Sequence, residues 1–152
     1  RVDSENFSAA PVERVLSRYP GVTLAAVYPV PDARTGDQVM ATLQFEDPES
    51  FDPADFAAFL EAQPDLGTKW APRFLSVVSD VPVTATQKIN KPSLRRDAWL
   101  VNENVFHRPG RDIAFEVLDE NALAQLEALF EQNGRAHLLP PKPAETTMKE
   151  KV

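Results

Sequence analysis

The segment Val81–Arg96, VPVTATQKINKPSLRR, holds the residue types best suited to chemistry in this chain. Thr84 and Thr86 precede Lys88, Pro82 stands ahead of both threonines, and Lys91 follows three positions after Lys88. A lysine ammonium is a compact charge on a long, flexible stem. At the tip of a loop it can reach into a neighbouring cleft and meet a phosphate or a carboxylate. Threonine hydroxyls can fold such a loop through side-chain to backbone bonds, and proline stiffens its leading arm. The bland alternative is that Lys88 and Lys91 are solvated surface charges, the ordinary state of a charge run.

Other reactive constellations are sparse. His107 and His137 lack the spacing of a metal pair and read as surface or hairpin residues, so no metal site is expected. There is no G-x-S-x-G elbow, no P-loop and no dinucleotide fingerprint, and five glycines leave little to build one. The absence of cysteine excludes disulfides, a thiol nucleophile and thiolate metal ligands. Asp52 and Asp55 stand where helix caps belong and read as structural. Trp70 and Trp99 read as core or packing residues. Taken alone, the chain offers neither an ATP cradle nor a nucleophile.

The elements that must position the lysine loop can be read from pattern. SAAPVERVLSRYPG predicts a short helix: Ser8 can cap it, Val12, Val15 and Leu16 share a face, and Pro20-Gly21 ends it. Val22–Val30 and Val39–Phe45 are apolar runs of strand length separated by a Pro/Asp/Gly turn, and are expected to pair or lie side by side. Asp52-Pro53 opens a second helix that buries Phe56, Phe59 and Leu60. RFLSVVSDV predicts a third strand, followed by the lysine loop and a short basic helix near Pro92–Trp99. Beyond Leu100 the pattern predicts a β-hairpin around Arg108-Pro109-Gly110. An amphipathic helix with Leu123, Leu126, Leu129 and Phe130 on one face then stops near Gly134.

This order predicts an α+β fold: a small three-stranded sheet with flanking helices, plus a C-terminal hairpin and helix. The expected division is 1–100 for the domain, 101–139 for a hairpin-helix extension packed on it, and 140–152 for a Pro-rich, disordered tail. At 152 residues such a domain can bury a sizeable core. The net charge of -7 disfavours nucleic acid as a partner, as does the lack of aromatics interleaved with the 88–96 basic run. No apolar run approaches the ~20 residues needed to span a bilayer, and no signal peptide is visible. The chain opens on Arg1, which predicts that something was removed or that it is a piece of a longer protein.

Two distant segments carry a resemblance. PVTATQKINK resembles the P-x-T-x-[TS]-G-K-x-x-[RK] motif near the end of adenylate-forming enzymes: acyl-CoA synthetases, peptide-synthetase adenylation domains and luciferases. RVDSENFSAAPVERVLSRYPGVTLAAVYPVPDARTGDQVMA resembles the segment that opens their small C-terminal domain. The match runs from Arg1 to Leu100 in the same order and spacing. Glu5-Asn6, Trp70-Ala71-Pro72-Arg73 and the extension look most like the long- and very-long-chain fatty acid–CoA ligases of the fatty-acid-transport branch. Three positions depart from the family: Ser4 and Gln87 stand where it has glycine, and Asp37 where it has glutamate.

The resemblance implies a lid that serves an enzyme in two half-reactions. A large N-terminal adenylation domain, here absent, would be the partner and would bind ATP, Mg2+ and the fatty acid. Lys88 would be the catalytic lysine, meeting the carboxylate and phosphate oxygens while the acyl-adenylate forms. The lid would then turn, and Ser4, Glu5 and Asn6 would line the tunnel for the pantetheine of coenzyme A. Arg34, Arg73 and Lys69 are candidates for the coenzyme's phosphates, with a solvated-surface reading beside each. Lys91 is expected either to hold the loop or to sit near the coenzyme. The expected reaction is fatty acid, ATP and CoA to acyl-CoA, AMP and pyrophosphate, in the cytoplasm, with peripheral membrane contact left open. The isolated domain should be inactive. The alternatives are the lid of an acyl-AMP ligase acting with a carrier protein and a stand-alone regulatory or binding module.

Overall fold

Five strands form one mixed sheet in a computed structural model that describes residues 8–66, 70–101 and 104–142. The strands are β1 (Val22–Pro31), β2 (Asp37–Phe45), β3 (Phe74–Val78), β4 (Val105–His107) and β5 (Glu116–Val117), and they lie in chain order. β1 and β2 pair antiparallel, as their shared turn requires, while β2 and β3 run parallel. The parallel step needs a crossover, and α2 (Pro53–Glu61) supplies it. β3–β4 and β4–β5 are antiparallel, so the hairpin's strands continue the sheet and bring it from the three expected strands to five.

The sheet is covered on both faces, which explains why β1 and β2 read as near-continuous apolar runs. Successive side chains of a strand point to opposite faces, and the two cores divide accordingly. Ala25, Val27, Val39, Ala41, Leu43, Leu75 and Val77 join Leu16, Phe56 and Leu60 in one core. Ala26, Tyr28, Met40 and Phe74 join Leu94, Trp99 and Phe130 in the other. Tyr28 and Thr42 are both buried and satisfy each other through a hydroxyl pair at 2.7 Å.

The helices follow their local signals. α1 (Ala9–Leu16) buries Val12, Val15 and Leu16; Ser8 occupies its N-cap position, although its hydroxyl bonds no described residue there. Asp52 caps α2 by accepting from the amides of Ala54 and Asp55, with Pro53 in the first turn. Phe56 and Leu60 are buried and Phe59 is half-buried. α3 (Lys91–Asp97) is the short basic helix, capped by the Asn90 side chain. α4 (Glu120–Gln132) is capped by Asp119 and ends at Gly134, whose φ of 68° fits a left-handed C-terminal cap.

The 101–142 region is tied to the body by specific contacts. Phe130 of α4 lies 5.6 Å from Trp99, which stacks on Phe74 at 4.9 Å. Arg135 donates to the carbonyls of Asp32 and Gly36, gripping the β1–β2 turn. Arg108, nearly fully buried, donates to the carbonyls of Ala71, Arg111 and Asp112. Among the described residues no helix is long and apolar enough to cross a membrane.

Candidate functional site

The lysine loop leaves β3 and returns to α3 as a narrow finger. Val83 and Ile89 form an antiparallel bridge at its base. Beyond the bridge, the amide of Thr84 donates to Lys88 O at 2.7 Å, and the amide of Gln87 donates back to Thr84 O at 2.9 Å. The amide of Lys88 donates to Thr84 Oγ1 at 3.3 Å, and the two threonine hydroxyls lie 3.1 Å apart. Thr84 thus uses its amide, carbonyl and hydroxyl to close the tip. Thr86 contributes through its contact with the Thr84 hydroxyl.

Gln87 makes the turn possible. Its φ is 65°, in the left-handed region that favours glycine. This is the position where the adenylate-forming motif has glycine. The turn therefore keeps the glycine conformation with a glutamine side chain, at a backbone cost of about 1 kcal/mol. The result is that Lys88 stands exposed at the tip, with no partner for its ammonium among the described residues.

Lys91 is placed differently. Its Nζ lies 2.7 Å from Glu13 Oε2, and both side chains are partly buried. The two lysines are therefore divided by geometry: Lys88 is presented and Lys91 is engaged. The loop's other arm is also held, because the amide of Val81 donates to the Gln44 side chain on β2 at 2.9 Å.

Arg34 and Arg73 share a cleft of about 760 Å³ with Arg108, Arg111, His107 and Gln125. The cleft lies between the β1–β2 turn and α4. Arg73 already donates to the carbonyls of Arg108 and Gly110, so part of its guanidinium holds the 108–110 turn. Arg34 is exposed. Burial, and then the neighbouring Arg73, pull the Arg108 pKa down to about 10, which leaves it charged at neutral pH. His107 lies on β4 and is half-buried, which lowers its pKa. His137 is exposed. Trp99 is a core residue, and Trp70 packs at the edge of the other core.

Ser4, Glu5, Asn6 and Lys69 lie outside the described residues. Glu13, Arg108 and Arg135 were not singled out from the sequence. Glu13 and Arg135 act over long stretches of chain, as does Arg108, read from the sequence only as part of a hairpin turn, through its bond to Ala71.

The chain is similar to proteins of known sequence and structure. The family model described as AMP-binding enzyme C-terminal domain matches residues 11–88, about half of the chain, and ends on Lys88. Steroid-22-oyl-CoA synthetase of Rhodococcus jostii is 47% identical over 140 residues, covering 91% of this chain and 25% of the relative. Medium/long-chain-fatty-acid–CoA ligase FadD17 of Mycobacterium tuberculosis is 52% identical over 94 residues, covering 62% of this chain and 19% of the ligase. The solved structure of the amide bond synthetase McbA from Marinactinospora thermotolerans is 34% identical with a TM-score of 0.54, over 62% of this chain and 19% of that one. The chain thus spans a quarter or less of these proteins. Its matched segment, its mixed α+β sheet and its lysine finger agree: the chain belongs to the AMP-binding enzyme C-terminal domain family.

Proposed function

We propose that this domain is the lid of an ATP-dependent fatty acid–CoA ligase and that Lys88 is its adenylation lysine. The observation that carries the reading is the finger: a lysine exposed at the tip of a hydrogen-bonded loop, at the last residue of the family match. In the first half-reaction the carboxylate of the acid attacks the α-phosphorus of ATP. The acyl–phosphate bond forms and pyrophosphate leaves. A fixed ammonium beside the carboxylate and phosphate oxygens stabilises the charge that gathers there, most strongly where water is excluded.

In the second half-reaction the thiol of coenzyme A attacks the acyl carbon and AMP leaves. The lid turns between the two, withdrawing Lys88. Ser4, Glu5 and Asn6 would then line the pantetheine tunnel, and Arg34 and Arg73 would face the coenzyme's phosphates. ATP with Mg2+ and the acid's apolar chain are assigned to a large N-terminal adenylation domain. A cytoplasmic location with peripheral membrane contact belongs to the same proposal.

Coenzyme A is preferred to an amine or a carrier protein as acceptor because both sequence relatives named above are CoA ligases, at higher identity than the amide bond synthetase. A second reading of the acid has its own support. The match to the steroid-22-oyl-CoA synthetase covers 91% of the chain, against 62% for the fatty-acid ligase. That favours a bulky steroid side-chain acid over a linear one.

The test is product analysis with the ligase that contains this domain, given ATP, Mg2+, CoA and either fatty acids or a steroid side-chain acid. Acid-dependent AMP and the matching acyl-CoA are expected, and neither from this domain alone. ADP in place of AMP, or no acyl-CoA from any acid, would contradict the proposal. The preferred acid decides between the two readings.

A further inference from the structure

Lys91 occupies the first position of α3, where a cation is electrostatically misplaced. The N-terminus of a helix carries partial positive charge and favours anions. The position is offset by Glu13, whose Oε2 accepts from Lys91 Nζ at 2.7 Å and from the Val27 amide at 2.8 Å. Val27 belongs to β1, which lies at one edge of the sheet. One carboxylate therefore joins three elements: α1 through its own backbone, β1 through Val27 and α3 through Lys91. The joint is partly buried, which shields it from the screening that weakens surface pairs.

The joint lies at the foot of the lysine finger. Lys91 follows Asn90, whose amide donates to Pro82 O at 2.8 Å across the base of the loop. The opposite arm is tied by the Val81 amide to Gln44. The finger thus stands on two feet, one on β2 and one on the Glu13–Lys91 pair.

We infer that Glu13 and Lys91 are positioning residues for the half-reaction that uses Lys88: their ion pair fixes the direction in which the finger points. This rests on the Lys88 reading above and extends it to two residues that touch no substrate. A displacement on the order of 1 Å at a reacting group can cost a rate factor of order 100.

The experiment uses the complete ligase. Acyl-adenylate formation from acid and ATP is measured apart from thioester formation from preformed acyl-adenylate and CoA. The variants are Lys91→Met, Lys91→Arg, Glu13→Gln and the Lys91→Met/Glu13→Gln double, with Lys88→Ala alongside. Glu13→Gln keeps an acceptor for the Val27 amide and removes only the charge. The expected result is adenylate formation slowed on the order of 10-fold or more in Lys91→Met and Glu13→Gln. The double should be no worse than the singles, because they break one shared interaction. Thioester formation should be unchanged, and Lys91→Arg should recover most of the rate. Parallel loss of both half-reactions, tracking a fall in melting temperature, would mean a merely structural pair and overturn the inference. So would normal adenylate formation in Lys91→Met while Lys88→Ala is inactive, which leaves the Lys88 reading intact. Normal adenylate formation in Lys88→Ala would overturn both.

Discussion

Gln87 and Lys88 are neighbours with opposite demands. The backbone at Gln87 must turn left-handed so that the side chain at Lys88 can stand out from the loop. Glycine would adopt φ of 65° without strain, but would lose more chain entropy on folding. These terms are each about 1 kcal/mol and nearly cancel, so Gln87→Gly should leave stability within about 0.5 kcal/mol of the parent. Gln87→Ile should cost at least about 1 kcal/mol more, because a β-branched side chain fits this region worst. Urea unfolding of the domain checks both, and equal stability of the two variants would refute the assigned turn. At this scale the sequence was legible where the chemistry is local. The threonines, the loop and the exposed lysine follow from a few adjacent residues. Glu13 was not legible, because its partners Val27 and Lys91 come from other elements and only the folded chain brings them to one carboxylate.

Secondary elements were legible for the same reason. The cap at Asp52, the stop at Gly134 and the apolar runs of β1 and β2 are short-range signals. The joining of β4 and β5 to the sheet was not, because strands of three and two residues carry little pattern, β4 takes its register from β3 and β5 takes its register from β4. Burial at the seam explains why the 105–142 elements stay. Phe130 is fully buried against Trp99, and Trp99 against Phe74, so removing the α4 ring leaves a cavity between helix and sheet. Phe130→Ala should destabilise the domain by about 3–5 kcal/mol. Denaturant unfolding measures it directly, and a loss below about 1 kcal/mol would contradict a packed extension. Arg108 and Arg135 add hydrogen bonds from the same region to the 71 and 32–36 carbonyls, linking the extension to the walls of the basic cleft.

At the scale of the whole molecule, charge is distributed unevenly. The chain carries a net charge of -7, yet Lys88 is exposed at the loop tip, and Arg95 and Arg96 are exposed on the α3 helix that follows it. An acidic lid with a basic tip can bring one cation to anionic substrates without drawing them to the rest of its surface. The two halves of the fold serve that tip. The sheet and its two cores supply rigidity, while β2 and α1 hold the feet of the finger. Such a design predicts that the tip acts in one step and is withdrawn for the other. The most direct measurement is rapid-quench analysis of the complete ligase carrying Lys88→Ala, with the two half-reactions followed separately. The account predicts adenylate formation slowed by a factor of roughly 100 or more, the scale of losing one oriented charge at a developing anion. It also predicts thioester formation from preformed acyl-adenylate at the parent rate. Equal rates of adenylate formation in variant and parent would contradict it.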